Sequence, residues 1–375
     1  MDKPRIVLAG HPFASIGCAE SLRCSYRALR AVGTEPGLVD MYGAPGADPA
    51  ERGEFEPALV REFGDINVFH LNADEVPYAM EMIGPQALSG AYNILYPYWE
   101  LERFPAPWVP HLQHFDELWA PSAFIAMSLR NCTDIPVHHL PTACEVAVSS
   151  LLSRRHFGIP ESAYVFLFFF DFRSYAARKN PQAGIAAFAR LLEARPQADV
   201  CLVLKIHGSD HDPAGLALLR EQVRPFGEGV LLIEETCSDN RIKNLVRACD
   251  CFLSLHRSEG FGRGLAEAMF LGKPVIATGY SGNLDFMDAD SALLLDYTLV
   301  PVGTGEYPHA EGQSWAEPDL EQAVRYMARL LDDPRAGREL GKRASRRVRT
   351  GIGYRPVGLA YRARLAQIGA TLAPA

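Results

Sequence analysis

No apolar run in this chain approaches the roughly 20 residues that a helix needs to cross a bilayer. Nor is a secretory leader evident, since Ile6-Val7-Leu8-Ala9 is too short for its apolar core and reads as a first strand. Basic residues are outnumbered by acidic ones, 37 Lys and Arg against 45 Asp and Glu. The formal net charge of -8 at pH 7 argues against a dedicated nucleic-acid binder. Cysteine is present but unpatterned: 8 residues, no Cys-x-x-Cys pair, and only Cys249-Asp250-Cys251 close together. Such usage fits reduced, mostly buried thiols in a cytosolic protein rather than a disulfide framework. The 11 histidines contain no His-Glu-x-x-His arrangement, so a catalytic metal is not indicated. Internal repeats and low-complexity segments are also missing.

What is present suits a two-domain α/β protein. The chain of 375 residues is long enough for two cores, and 48% hydrophobic with 22% charged residues is ordinary for a globular protein. Strand-like runs over 5–10, 65–71, 93–96 and 137–141 alternate with loops and helical patterns, beginning with an amphipathic helix over 18–32. Proline brackets the stretch 136–160, where periodicity lapses, and the domain boundary is expected there. Beyond it, 164–170 is almost wholly apolar and aromatic, as in a strand buried on both faces of a parallel sheet. Further strands fall over 200–205, 229–233, 251–255 and 275–278.

The most informative stretch is Ser258-Glu259-Gly260-Phe261-Gly262-Arg263-Gly264-Leu265-Ala266-Glu267. It lies between a strand and a helix that Gly272-Lys273-Pro274 stops. Glycines at such a turn let the backbone approach a ligand, and the free amides of a helix start favour an anion. Glu259 and Glu267 bracket that site with seven residues between them. A phosphate alone calls for no carboxylates. A phosphate flanked by hydroxyl-bearing groups does, because carboxylates accept strong hydroxyl hydrogen bonds. A nucleotide sugar has that shape. The plainer alternative is an ordinary strand-turn-helix unit with solvated glutamates.

This spacing, with Gly272-Lys273-Pro274-Val275-Ile276-Ala277-Thr278 and Gly279-Tyr280-Ser281-Gly282-Asn283-Leu284-Asp285 behind it, resembles the signature of the retaining glycosyltransferases of family four. The resemblance is dense over the second half and sparse over the first. It implies the GT-B fold, two Rossmann-like domains facing across a central cleft. An acceptor domain would occupy 1–150, a nucleotide-sugar donor domain 160–350, and a helix at about 354–370 would pack back on the first. The implied activity is transfer of a sugar from a nucleotide sugar to a saccharide or lipid-linked acceptor, without metal or cofactor, in polysaccharide or glycoconjugate biosynthesis.

Site residues follow by matching motifs. Glu259 would hold sugar hydroxyls and Glu267 the ribose, while Gly260, Phe261, Gly262, Arg263 and Gly264 form the turn under the diphosphate. The basic loop Asp171-Phe172-Arg173-Ser174-Tyr175-Ala176-Ala177-Arg178-Lys179 resembles the family's donor-phosphate loop. There Lys179 is the nearest match, Ser174 is a further contact, and Arg173 and Arg178 compete for the arginine role. Thr236 lies in the loop that would offer backbone groups to the base. Gly17, by context, matches the glycine of the first loop. On the acceptor side the candidates are His11, Trp99, Glu100 and Glu102, since aromatic faces pack on sugar rings and carboxylates hold their hydroxyls; the plainer alternative is a capped helix start with Trp99 in the core.

After Asp296 the chain reads as a glycine-bearing loop to Trp315, then a helix capped by Asp319 over 320–331. Arg335, Arg338, Lys342, Arg343, Arg346, Arg347 and Arg349 follow as a basic stretch. It reads either as a solvated helix face or as a contact with a phosphorylated acceptor or, peripherally, with the inner face of the membrane. Asp288-Ala289-Asp290 only superficially matches the metal-binding Asp-x-Asp of the other main glycosyltransferase fold. Two rival functions remain in view: a nucleotide-sugar epimerase of the same fold, and a non-catalytic nucleotide-sugar-binding partner subunit.

Overall fold

The computed structural model describes residues 4–14, 16–43, 49–84 and 86–372, and of these the side chains of 49–51 stay outside the description. The chain divides into two compact units, Met1–Glu145 with Thr350–Ala375, and Val146–Arg349.

The first unit is built on β1 (Ile6–Gly10), β2 (Gly37–Asp40), β3 (Ile66–Phe69), β4 (Tyr92–Leu95), β5 (Glu117–Ala120) and β6 (Val137–His139). They form one parallel sheet in the order β2-β1-β3-β4-β5-β6. Helices α1 (Gly17–Arg30), α2 (Pro49–Phe55), α3 (Val76–Ile83) and α4 (Ala123–Arg130) connect them. The run Ile66–Phe69 is buried throughout, as a strand covered on both faces must be. Strand order reverses between β1 and β3. In open parallel sheets such a switch point opens a crevice beyond the carboxyl ends of the strands. The C-terminal helix, Tyr354–Leu372, packs along α1. Its Arg364 guanidinium is bound by the fully buried Glu117 carboxylate, which also accepts from the Trp119 indole.

The second unit repeats the plan. Its strands are β7 (Tyr164–Asp171), β8 (Val200–His207), β9 (Val230–Ile233), β10 (Cys251–Ser254), β11 (Val275–Thr278) and β12 (Leu293–Leu295), in the order β12-β11-β10-β7-β8-β9. The helices are α5 (Ala176–Lys179), α6 (Pro181–Ala194), α7 (Pro213–Val223), α8 (Asp239–Ala248) and α9 (Arg263–Phe270). Here the order reverses between β7 and β10. Those two strands lead into the basic loop and the glutamate turn, so the fold brings the two sequence signals side by side. Phe166, Phe168, Leu202 and Leu204 pack the sheet against Phe188 and Met327.

The chain beyond β12 departs from the sequence expectation of a loop. Strands β13 (Tyr297–Pro301) and β14 (Ser314–Pro318) pair antiparallel, from Tyr297 opposite Pro318 to Pro301 opposite Ser314. The glycines of this segment fall in the hairpin's connecting turn. The Asp319 side chain then caps α10 (Leu320–Asp332) at the Gln322 amide, and α11 (Pro334–Gly351) follows. Strand β2 and helices α3 and α7 had no firm sequence signal.

Candidate active site

The turn from β10 to α9 is shaped by close packing. Gly262 sits at φ 94, a left-handed conformation that favours glycine, and starts the helix. A β-carbon on Gly282 would lie 2.0 Å from the Gly260 carbonyl oxygen, so only glycine admits this crossing of chains. The crossing is fastened by the Gly282 amide to the Glu259 carbonyl, 2.9 Å, and by the Glu259 amide to Ser281 Oγ, 2.8 Å. Gly260, Phe261 and Gly262 are buried, whereas Arg263 and Gly264 are half-buried at the helix start.

Glu259 thereby projects from a fixed backbone, and its side chain is only 10% exposed. Two cations from the neighbouring loop meet it. Lys179 Nζ donates to Oε1, and Arg178 Nη1 donates to Oε2 at 3.3 Å. Arg178 is itself buried and donates to the Ser258 carbonyl at 2.9 Å and to the Ser174 carbonyl at 3.3 Å. Burial by itself would push the Glu259 carboxyl up, but Lys179 and then Arg178 outweigh it and hold it down at about 2. The group is therefore a carboxylate at neutral pH, locked between two cations.

Of the two arginines, the structure joins Arg178 to this cluster. Arg173 turns instead to Asp171, with Nε 3.2 Å from Oδ1, and stays exposed. Glu267 is buried on α9, and Arg263 Nη1 lies 3.7 Å from its carboxylate. Thr236 is exposed in the loop after β9, and Ser174 is half-buried.

Sequence reasoning missed what supports the turn. His256, fully buried, bonds Ser254 Oγ through Nδ1 at 2.9 Å and Asn283 Oδ1 through Nε2 at 3.1 Å. Asn283 donates its Nδ2 to the Thr278 carbonyl, so its oxygen faces His256 and the imidazole proton sits on Nε2. Burial lowers the His256 pKa to about 4, which keeps the ring neutral. The signal available was His256 three residues ahead of Glu259, too generic to stand out from other histidines.

The first unit's loops are arranged differently. His11 and Glu75 lie just beyond β1 and β3, at the switch point, and His11 Nε2 donates to Glu75 Oε1 at 2.7 Å. Glu75 is held in turn by the Asn72 amide at 2.8 Å, and the His11 ring stacks on Tyr42 with centroids 4.1 Å apart. Trp99 needs a correction. It is 2% exposed, its indole N–H donates to the Arg103 carbonyl, and its ring packs on Phe104 and Trp108. Its face is closed to a sugar ring, because core packing has claimed it. Glu100 is half-buried and Glu102 exposed. Gly17 is the exposed first residue of α1, with no protein atom within 4 Å of where a β-carbon would sit. Gly10 is the crowded glycine of this turn, with such an atom 2.8 Å from the His70 carbonyl.

The pairing of two parallel, doubly wound sheets is shared with solved glycosyltransferases of the GT-B fold. The Anabaena protein HepE, in complex with UDP-glucose, superposes with a TM-score of 0.70 over 97% of this chain and 100% of its own, at 12% identity. A sucrose-phosphate synthase from Thermosynechococcus elongatus gives 0.69 over 98% and 100%, at 15% identity. A glycosyltransferase from Rickettsia africae gives 0.69 over 98% and 99%, at 12% identity. At such identities the likeness shows the fold. Residues 152–347, more than half of the chain, match the family described as glycosyl transferases group 1, and the chain belongs to that family. A trehalose synthase from Pyrococcus horikoshii is 27% identical over 143 residues, 37% of this chain. That match covers 29% of the relative, so the chain spans under a third of its length.

Proposed function

We propose that this protein is a retaining glycosyltransferase that moves a sugar from a nucleotide-sugar donor to a saccharide or lipid-linked acceptor, with no metal or cofactor. The observation that carries this reading is the meeting of Glu259 with both Lys179 and Arg178 at the switch point of the second unit. HepE is described with UDP-glucose, and this supports a UDP-sugar as the first donor to try.

In this reading the second unit holds the donor and the first unit the acceptor. The diphosphate lies at the start of α9, beside Lys179 and Arg178. Glu259 accepts hydrogen bonds from the sugar hydroxyls and Glu267 from the ribose. The bond from the anomeric carbon to the leaving phosphate oxygen breaks, and negative charge grows on that phosphate. Cations and amides fixed there stabilise the transition state more than the bound donor. The acceptor oxygen bonds to the same face of the anomeric carbon, and its proton passes to a leaving phosphate oxygen. Lys179, Arg178 and Glu259 thus share the catalytic work, and none acts as a nucleophile. His11 is the acceptor-side residue that the first unit best supports.

The protein works, in the same reading, in polysaccharide or glycoconjugate synthesis at the inner face of a membrane. No helix among the described residues is long and apolar enough to cross one. The seven cations of the basic stretch all lie exposed on α11, which carries the single acid Glu339 and so opposes the net charge of the chain. Arg347 is paired with Asp288 at 2.6 Å and Lys342 with Glu339 at 2.7 Å, and an anionic surface would meet the other five at about 1 kcal/mol per residue.

The test is a thermal-shift screen against UDP-, GDP-, dTDP- and ADP-sugars, with Glu267→Ala alongside. One nucleotide class should raise the melting temperature by mass action, and less so in the variant. Failure of every donor to bind or be hydrolysed by the folded protein would end this reading. Conversion of a donor with no acceptor present would favour an epimerase instead.

A further inference from the structure

Helix α5 has four residues, too few to hold itself. Its flanks are unfavourable as well. Tyr175 stands at φ 62 and ψ 99, and Asn180 at φ 56, both in territory that side-chain-bearing residues seldom occupy. Yet this short piece carries Arg178 and Lys179. Something outside it must keep the backbone there, and the described contacts lead to the hairpin β13–β14.

Glu317 on β14 is the link. Its Oε2 accepts from Arg257 Nε at 2.6 Å, and its Oε1 from Asn180 Nδ2 at 3.3 Å. Arg257 reaches α5 by two further bonds: Nη1 donates to the Ala177 carbonyl at 3.0 Å, and its amide to the Arg178 carbonyl at 2.8 Å. The Arg257 carbonyl accepts from the Ala316 amide of β14 at 3.0 Å. One carboxylate on the hairpin therefore ties the turn before α9 to the loop that bears both cations. A second tie is aromatic. The ring of Tyr307, in the hairpin turn, lies 4.9 Å from that of Tyr175 and 6.3 Å from Trp315. Arg257 closes the circuit, with its guanidinium 5.4 Å from the Trp315 ring centroid.

We propose that the hairpin β13–β14 is the positioning element of the donor site, and that Glu317 sets Arg178 and Lys179 against the donor diphosphate through Arg257 and Asn180. This rests on the donor reading above. Glu317 touches neither Arg178 nor Lys179 in any described contact. It acts on the backbone that aims them. A shift of about 1 Å in such groups costs on the order of 10²-fold in turnover. The loss should fall on kcat, because the aim of the cations matters most when charge develops on the leaving phosphate.

The experiment compares wild type with Glu317→Gln, which keeps shape and removes charge, and with Glu317→Asp, which restores it. The donor is whichever of UDP-glucose, GDP-mannose, dTDP-glucose and ADP-glucose the wild type turns over fastest. Turnover is expressed per nucleotide-binding site, counted by calorimetric titration with the matching nucleoside diphosphate, so that misfolded protein does not count. Glu317→Gln should lose about 10²-fold in kcat with the donor KM within about threefold, and Glu317→Asp should regain at least about tenfold. Should Glu317→Gln fail to melt cooperatively, Tyr307→Ala takes its place, with an expected loss of about tenfold in kcat per site. A kcat per site within about threefold of wild type, or a Glu317→Asp as impaired as Glu317→Gln, overturns the proposal. A wild type that binds none of the four nucleotides overturns the donor reading, and this inference falls with it. A wild type that binds and turns over while Glu317→Gln matches it sinks this inference alone.

Discussion

The two units share a sheet plan, yet their switch points hold different kinds of chemistry. In the second unit, Glu259, Arg178 and Lys179 meet as buried or half-buried charges on a backbone crossing that admits no β-carbon. In the first unit, His11 and Glu75 form a single pair beneath stacked rings, and the other acceptor-side candidates are a buried indole and two separate carboxylates. The proposed function accounts for the difference by what each side would hold. A diphosphate is the same anion in every nucleotide sugar, so its site can be rigid, charged and densely packed. A saccharide acceptor, if that is what the first unit holds, presents hydroxyls rather than a fixed charge, and its recognition would need shape more than ions.

That contrast can be broken most directly by charge removal in each unit. Lys179→Ala should lower donor turnover by about 10²–10³-fold, whereas Glu102→Ala in the first unit should leave it within about threefold. Steady-state kinetics on the two variants decide this, and equal losses would erase the contrast. The next largest effect separates the two arginines of one loop. Arg178→Ala leaves Glu259 with Lys179 as its one cation and the Ser258 carbonyl without its donor, at a cost of about 1–3 kcal/mol, whereas exposed Arg173→Ala should stay within about 0.5 kcal/mol. Denaturant melts would show it, and a tie would mean that Lys179 alone suffices to compensate Glu259.

Smaller effects sharpen the comparison. Gly282→Ala must push the Gly260 carbonyl aside, and should destabilise the protein by about 1–3 kcal/mol and weaken nucleotide binding as well. Loss of stability with unchanged binding would show that the crossing serves only the fold. The last prediction concerns pH. The His256 pKa is lowered from 6.5 to about 4 in the folded state, so between those values the unfolded chain binds more protons there. Its contribution is complete above 6.5 and is lost as pH falls towards 4. The melting temperature should drop over that window, and His256→Asn should flatten the drop without abolishing it. His70, whose pKa burial lowers to about 3, contributes a slope of the same sign from the first unit. A His256→Asn curve parallel to wild type would exclude His256 as a contributor.

Much of the second unit was legible in residues alone, because its strands are continuous apolar runs and its turn is written in glycine and glutamate. The order of strands was not legible, and it is what puts 171–180 beside 258–264. Trp99 shows the opposite failure. An aromatic residue after a strand reads equally well as a sugar platform or as core, and only the packing of Phe104 and Trp108 against it decides. The hairpin was passed over for a related reason: Gly303, Gly305 and Gly312 signal turns, but antiparallel pairing between residues so far apart leaves little local trace.

The sequence by itself determined the two-sheet α/β class, the helix start under the candidate diphosphate site, and the pair Glu259 and Glu267, since periodicity and turn chemistry are local properties. Tertiary structure alone decided that Arg178 rather than Arg173 meets Glu259, that His256 is neutral and doubly bonded, and that Glu317 from a distant hairpin reaches Arg257 and Asn180. Those outcomes depend on desolvation and on distances between residues far apart in the chain, which no local pattern encodes.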